Sequence, residues 1–205
     1  ENFQTQIQEV SRWIVNLRYE DIPQEVIHFA KLQLLDCVSA ICAGSRSTVG
    51  LKLKNALKSC EYGGPYTLLP DGERWSLDNV LYYHAAMINS LELDNFVFMG
   101  HVGQSAISVL LAMSETDDFQ GRELLLTLIT AEEVAGRLSA NLVSGPHQGH
   151  MRAFIHRIAS ATVVSKLLKY DEKTTAKAIA IALSMPEFPL YPASFSADTK
   201  VICTS

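Results

Sequence analysis

The sequence predicts an all-α domain built as a multi-helix bundle. Three observations carry that prediction. Apolar residues recur at spacings of three and four along most of the chain, the period of one helix face. Prolines and most glycines gather between these stretches rather than inside them. Hydrophobic residues make up 48% of the 205 residues, enough to build a core at this length without disulfide or metal staples.

The elements follow in order. The first stripe is Phe3, Ile7, Val10, Trp13, Ile14 and Leu17. Asp21-Ile22-Pro23 is a start signal, with proline in a first turn where its missing N–H costs nothing. The helix it opens runs over 23–43, and Gly44 stops it. Leu34, Leu35, Val38, Ala40 and Ile41 make this helix apolar on more than one side, which places it at the centre. A short helix follows over 49–59, then a turn cluster over 61–65. Tyr66-Thr67-Leu68-Leu69, closed by Pro70-Asp71-Gly72, is a short strand or an extended surface segment, and no substantial sheet is expected. Ser76 is the expected cap of a helix carrying Leu77, Val80, Leu81, Ala85 and Ile88. The next begins at Gln104 or Ser105, covers 107–114 and breaks at Thr116-Asp117-Asp118. A long helix spans 121–142 and a loop fills 143–149. Two more helices run over 151–168 and 171–184, the second capped by Asp171. Prolines 186, 189 and 192 exclude helix beyond 184, so the tail over 185–205 reads as loop. The whole is one domain over 1–205, with short connections that set neighbouring helices mostly antiparallel.

Charge narrows the function classes. The formal net charge is −5 and the isoelectric point ≈ 5.7, which argues against a nucleic-acid partner that would need a basic face. No polybasic run and no apolar stretch near the ~20 residues of a bilayer span are read, so no membrane partner is expected. Cys37, Cys42, Cys60 and Cys203 form no C-x-x-C pair and read as buried free thiols. Glu1-Asn2-Phe3-Gln4 lacks the regions of a signal peptide. The expected compartment is the cytoplasm, or the mitochondrion if a transit peptide has been removed.

Three loops collect polar residues between apolar helices. Glu92, Asp94 and Asn95 lie just before His101, which is flanked by Gly100 and Gly103. This supplies acid–base groups within one short loop; taken alone, it reads first as a pair of solvated carboxylates with His101 capping the following helix. His147 and His150 share a glycine-bearing loop entering a helix, where a helix N-terminus suits a bound carboxylate. No carboxylate or cysteine nearby completes a metal set, and no metal site is expected. Thr199 and Lys200 lie in the proline-rich tail, where the lysine is a solvated charge or a clamp on a carboxylate. His28, His84, His156 and Arg157 fall inside helices and read as surface or satisfied core residues. No P-loop, dinucleotide glycine motif, G-x-S-x-G or H-E-x-x-H is present.

Several blocks then carry a resemblance. They are the segment 34–44 (Leu-Leu-Asp-Cys-Val-Ser-Ala-Ile-Cys-Ala-Gly), Ala85-Ala86-Met87-Ile88-Asn89-Ser90, Gly121-Arg122-Glu123-Leu124-Leu125, Glu133-Val134-Ala135-Gly136-Arg137-Leu138 and Ser165-Lys166-Leu167-Leu168. In content and order they resemble the N-terminal helical domain of the MmgE/PrpD family. That family includes 2-methylcitrate dehydratase, cis-aconitate decarboxylase and iminodisuccinate epimerase. The resemblance implies a lyase or isomerase acting on a small di- or tricarboxylate, with no metal and no cofactor, assembled as a homodimer. It implies a helical domain facing an α+β lid; this chain stops short of the lid and is a fragment or a truncated relative. The family's Asp-x-Asp-Asp-Thr segment and following His-Pro pair fall on Glu92-Leu93-Asp94-Asn95-Phe96 and His101-Val102. Glu92, Asp94, His101, His150 and Lys200 are the implied catalytic positions, and His147, Thr199 and Asn95 the implied substrate-binding ones. The competing reading is a non-catalytic helical relative that oligomerises or binds, or an inactive fragment.

Overall fold

The computed structural model describes residues 5–60, 63–97, 100–142 and 153–184. Among them are eight α-helices and one two-stranded hairpin. The helices are α1 (Gln6–Asn16), α2 (Gln24–Gly44), α3 (Thr48–Cys60), α4 (Leu77–Asn89), α5 (Gly103–Met113), α6 (Gly121–Leu142), α7 (Ala153–Leu167) and α8 (Glu172–Ser184). The all-α class is as the sequence predicts. The expected loops at 143–149 and 185–205 lie outside the described residues.

Local signals explain most boundaries. Thr5 opens α1 with a capping box: its hydroxyl accepts the Gln8 N–H, and its own N–H donates to Gln8 Oε1. Pro23 stands one residue before α2, in extended conformation. Asp171 Oδ1 accepts the Thr174 N–H at 2.7 Å, the cap expected for α8. Ser76 departs from expectation. Its backbone suits a cap, but the hydroxyl is buried and makes no cap bond. Gly44 acts differently from a left-handed stop. It is the last residue of α2, and a Cβ there would lie 2.4 Å from Ser90 Oγ and 2.6 Å from the Met87 carbonyl. The glycine lets α2 cross α4 at backbone distance. The extended segment 66–69 acquires a partner: Tyr66–Leu68 pairs antiparallel with Glu73–Trp75, placing Tyr66 opposite Trp75.

The main core joins α2, α4, α5, α6 and α7 through residues such as Ile41, Tyr83, Met87, Ile107, Leu128 and Ile155. A smaller cluster of Ile14, Val134, Ile158 and Ile179 ties α1 and α8 to α6 and α7. Burying each such side chain contributes roughly 1.5–3 kcal/mol.

Two predicted burial patterns are corrected. Val10 and Trp13, in the first stripe, are exposed, because α1 turns its Ile7–Ser11–Ile14 edge inward against α7 and α8. The helix α2 is not central. It packs on α4, α5 and α6 through Ile27, Ala30, Cys37, Ala40 and Ile41, while Val26, Phe29, Leu32 and Leu35 face outward, Leu35 with 63% of its surface open. Its 21 residues are also long and apolar enough to cross a membrane by length and composition, contrary to the expectation that no stretch comes near that. The same make-up arises in a helix with one core face and one unpartnered apolar face. Among the described residues Cys37, Cys42 and Cys60 are free as expected, but only Cys37 is buried; Cys42 is half-buried and Cys60 exposed, and Cys203 lies outside the described residues.

Candidate active site

The segment between α4 and α5 brings the predicted acid–base residues together. His101 Nδ1 lies 2.9 Å from Asp94 Oδ2, and His101 Nε2 lies 3.5 Å from Glu92 Oε2. The Asp94 side chain is 0% exposed, that of His101 7%, that of Glu92 50%. A carboxylate only accepts, so the bond assigns the proton to Nδ1 and leaves Nε2 as the nitrogen open to exchange. The two carboxylates therefore differ in role. Asp94 is buried against one ring nitrogen of His101, and Glu92 is half-open beside the other. Asp94 Oδ1 has no partner among the described residues.

The backbone holds Glu92 in the left-handed region, at φ 53. A residue with a Cβ there costs about 1 kcal/mol. Phe96 sets its ring edge-on to His101, with centroids 5.0 Å apart at 73°. It is the position where the resemblance implies a hydroxyl.

His101 does not cap α5. That bond comes from Asn95, whose Oδ1 accepts the Gly103 N–H at 3.0 Å. Gly103 must lack a side chain, since a Cβ would lie 2.3 Å from Asn95 Oδ1 and 3.3 Å from Gln33 Nε2. Nor are both carboxylates solvated: Asp94 is buried.

Sequence reasoning missed one member of this neighbourhood. Glu132, on α6, accepts a hydrogen bond from the Gln33 side chain, with the Asn95 amide nearby. It lines a cleft of about 430 Å³ between α2 and α6, with Val26, Phe29, Gln33, Val97 and Gly136. Removal from water pushes its carboxyl up to about 8, against the pull of the two amides. Cys37 lies behind it; burial, then the charges of Glu132 and Asp94, raise its thiol to about 12, so it is an inert core thiol. A signal for Glu132 was present: it falls three or four residues from the buried Leu128 and Ala135, on the inward stripe of α6.

The other candidates separate. His147, His150, Thr199 and Lys200 lie outside the described residues. His84 is buried, and its Nε2 accepts the Leu69 N–H at 2.9 Å. His156 Nδ1 meets the Ser105 hydroxyl at 3.1 Å, and His28 is exposed. Among the described residues, no three His, Cys, Asp or Glu side chains form a group able to hold a metal ion.

The family model of the MmgE/PrpD N-terminal domain matches residues 8–191. The chain belongs to the MmgE/PrpD family. Similar proteins include a cis-aconitate decarboxylase-like protein, oryM, of Aspergillus oryzae. It is 25% identical over 189 residues, which cover 85% of this chain and 39% of that protein. The cis-aconitate decarboxylase of Aspergillus terreus is 24% identical over 184 residues, covering 85% and 38%. This MmgE/PrpD domain thus spans about two fifths of the length of the curated relatives it matches. The match takes in every described helix except the first two residues of α1, and with them the Asp94–His101 pair.

Proposed function

We propose that this domain serves a lyase or isomerase acting on a small di- or tricarboxylate, with His101 as its proton-transfer group. The Asp94–His101 contact carries the reading: a buried carboxylate fixes one imidazole nitrogen and leaves the other open, the arrangement a general acid or base needs. Relatives named for cis-aconitate decarboxylation support the substrate class. Loss of carbon dioxide leaves an electron pair on the adjoining carbon, and that carbon must take up one proton. Dehydration and epimerisation likewise move a proton beside a carboxylate. His101 Nε2 receives that proton, or delivers one when the ring is the imidazolium protonated at both nitrogens, with the Glu92 carboxyl beside it. His150 and Lys200 are the proposed partners of the substrate carboxylates, with His147, Thr199 and Asn95 around them.

The exposed apolar face of α2 supports a second part of the reading. We propose that a second copy of the chain covers it.

Assay of the full-length protein with cis-aconitate tests the function. Replacing His101 by Ala is expected to lower turnover about 10²–10⁴-fold. Undiminished turnover removes His101 from the chemistry. If the wild-type protein neither turns over nor is thermally stabilised by cis-aconitate or 2-methylcitrate, the non-catalytic reading takes its place.

A further inference from the structure

His101 shows only 7% of its side chain to solvent. Asp94, fully buried, lies 2.9 Å from one ring nitrogen, and Glu92 lies 3.5 Å from the other. Phe96 is a third neighbour. Its ring stands edge-on to the imidazole at 73°, with centroids 5.0 Å apart, a separation at which two such rings touch. Phe96 still leaves 51% of its surface open, and Leu91 and Leu93, on either side of Glu92, are exposed as well.

A single exposed apolar side chain is ordinary on a protein surface. What sets Phe96 apart is its contact with the ring read as the proton-transfer group. A molecule that exchanges a proton with His101 must bring a carbon close to Nε2. On so covered an imidazole, the groups carried by that carbon meet the Glu92 carboxyl or the Phe96 ring. A carboxylate gains nothing beside another acid, and against Phe96 it loses water without gaining a hydrogen bond. An alkyl group has the opposite balance: it covers open ring surface and takes apolar area out of water on both sides.

We propose that Phe96 is a specificity-determining residue: the carbon that exchanges its proton with His101 carries an alkyl group that packs on the Phe96 ring, and the open half of that ring takes a chain longer than methyl. The proposal rests on the reading of His101 as the proton-transfer group.

The full-length protein is tested with citrate, 2-methylcitrate and 2-propylcitrate, by Kd or, where a ligand turns over, by kcat/KM. The wild type is expected to improve along this series by at least about tenfold in all. In Phe96→Ser the gain should shrink to under about threefold. Phe96→Leu, which keeps an apolar surface, should retain most of it. Ile181→Ser, the same kind of change at an exposed position on α8, should leave the series as in the wild type. A wild-type series that is flat or falling overturns the proposal. So does a Phe96→Ser series as steep as the wild type's, including one weakened equally for all three ligands, which is the mark of a ring that merely props His101. If the serine variant does not fold, the wild-type and leucine series decide. Should the protein neither bind nor turn over any of the three, the reading of the site falls and this inference with it; binding without a rise along the series removes this inference alone.

Discussion

Two titratable side chains, His84 buried and Glu132 half-buried, tilt the stability of this domain in opposite directions. His84 is 1% exposed and its Nε2 accepts the Leu69 N–H, so burial holds it neutral down to about pH 4 instead of 6.5. Its pKa is depressed in the folded state; the unfolded chain takes up the proton first as pH falls. Its contribution is complete above pH 6.5 and is lost toward pH 4, up to about 3 kcal/mol. Glu132 has the reverse sign and weakens the fold as pH rises from 4.5 to 8. Between 4.5 and 6.5 the two slopes oppose each other. Denaturant unfolding across pH 4–8 checks the acid limb: in His84→Gln the loss below pH 6.5 should be much reduced. An unchanged acid limb would show that His84 titrates normally. At this scale the sequence was half legible. Glu92, Asp94 and His101 lie within ten residues, so local spacing grouped them in one loop but left open whether they pair. Glu132 reaches the same place from a distant helix. Only its position on an apolar stripe hinted that it faced inward.

At the scale of elements, boundaries were legible wherever a local signal sets them. The helix α6 runs over 121–142 as read, and Asp171 caps α8. Burial was less legible, because a stripe does not say which of its edges finds a partner. In α1, Ile14 found one and Trp13 did not. What holds α1 is partly polar. Lys166, from α7, donates to the carbonyls of Ile14 at 2.5 Å and Leu17 at 2.7 Å, with Val15 at 3.4 Å. Burial pulls this lysine down to about 8, while the carbonyl end of a helix, with its negative dipole, favours an ammonium. Replacing Lys166 by Met strands those carbonyls and should cost about 1–3 kcal/mol. Limited proteolysis should then cut first in or beside α1. An unaltered unfolding midpoint would mean that water satisfies the carbonyls equally well.

Across the whole molecule, the outward face of α2 is the largest departure from the sequence reading. Val26, Phe29, Leu32 and Leu35 form an exposed apolar run on one helix, the kind of surface that marks an interface. If a second copy covers it, sedimentation of the full-length protein should show a dimer. The double variant Phe29→Lys, Leu35→Lys should weaken that dimer at least about tenfold, a change of ~1.4 kcal/mol. A wild-type monomer at micromolar concentration would leave the face to another partner.

The docking of α1 on α8 has a further consequence, one of timing. Arg12 pairs with Glu172, 160 residues later, and Ile14 shares its cluster with Ile179. During synthesis at about 5–20 residues per second, α1 leaves the ribosome roughly 10–30 s before α8 exists. For that interval Ile14 lacks Ile179 and Arg12 lacks Glu172, so α1 is fully locked in place only once α8 is made.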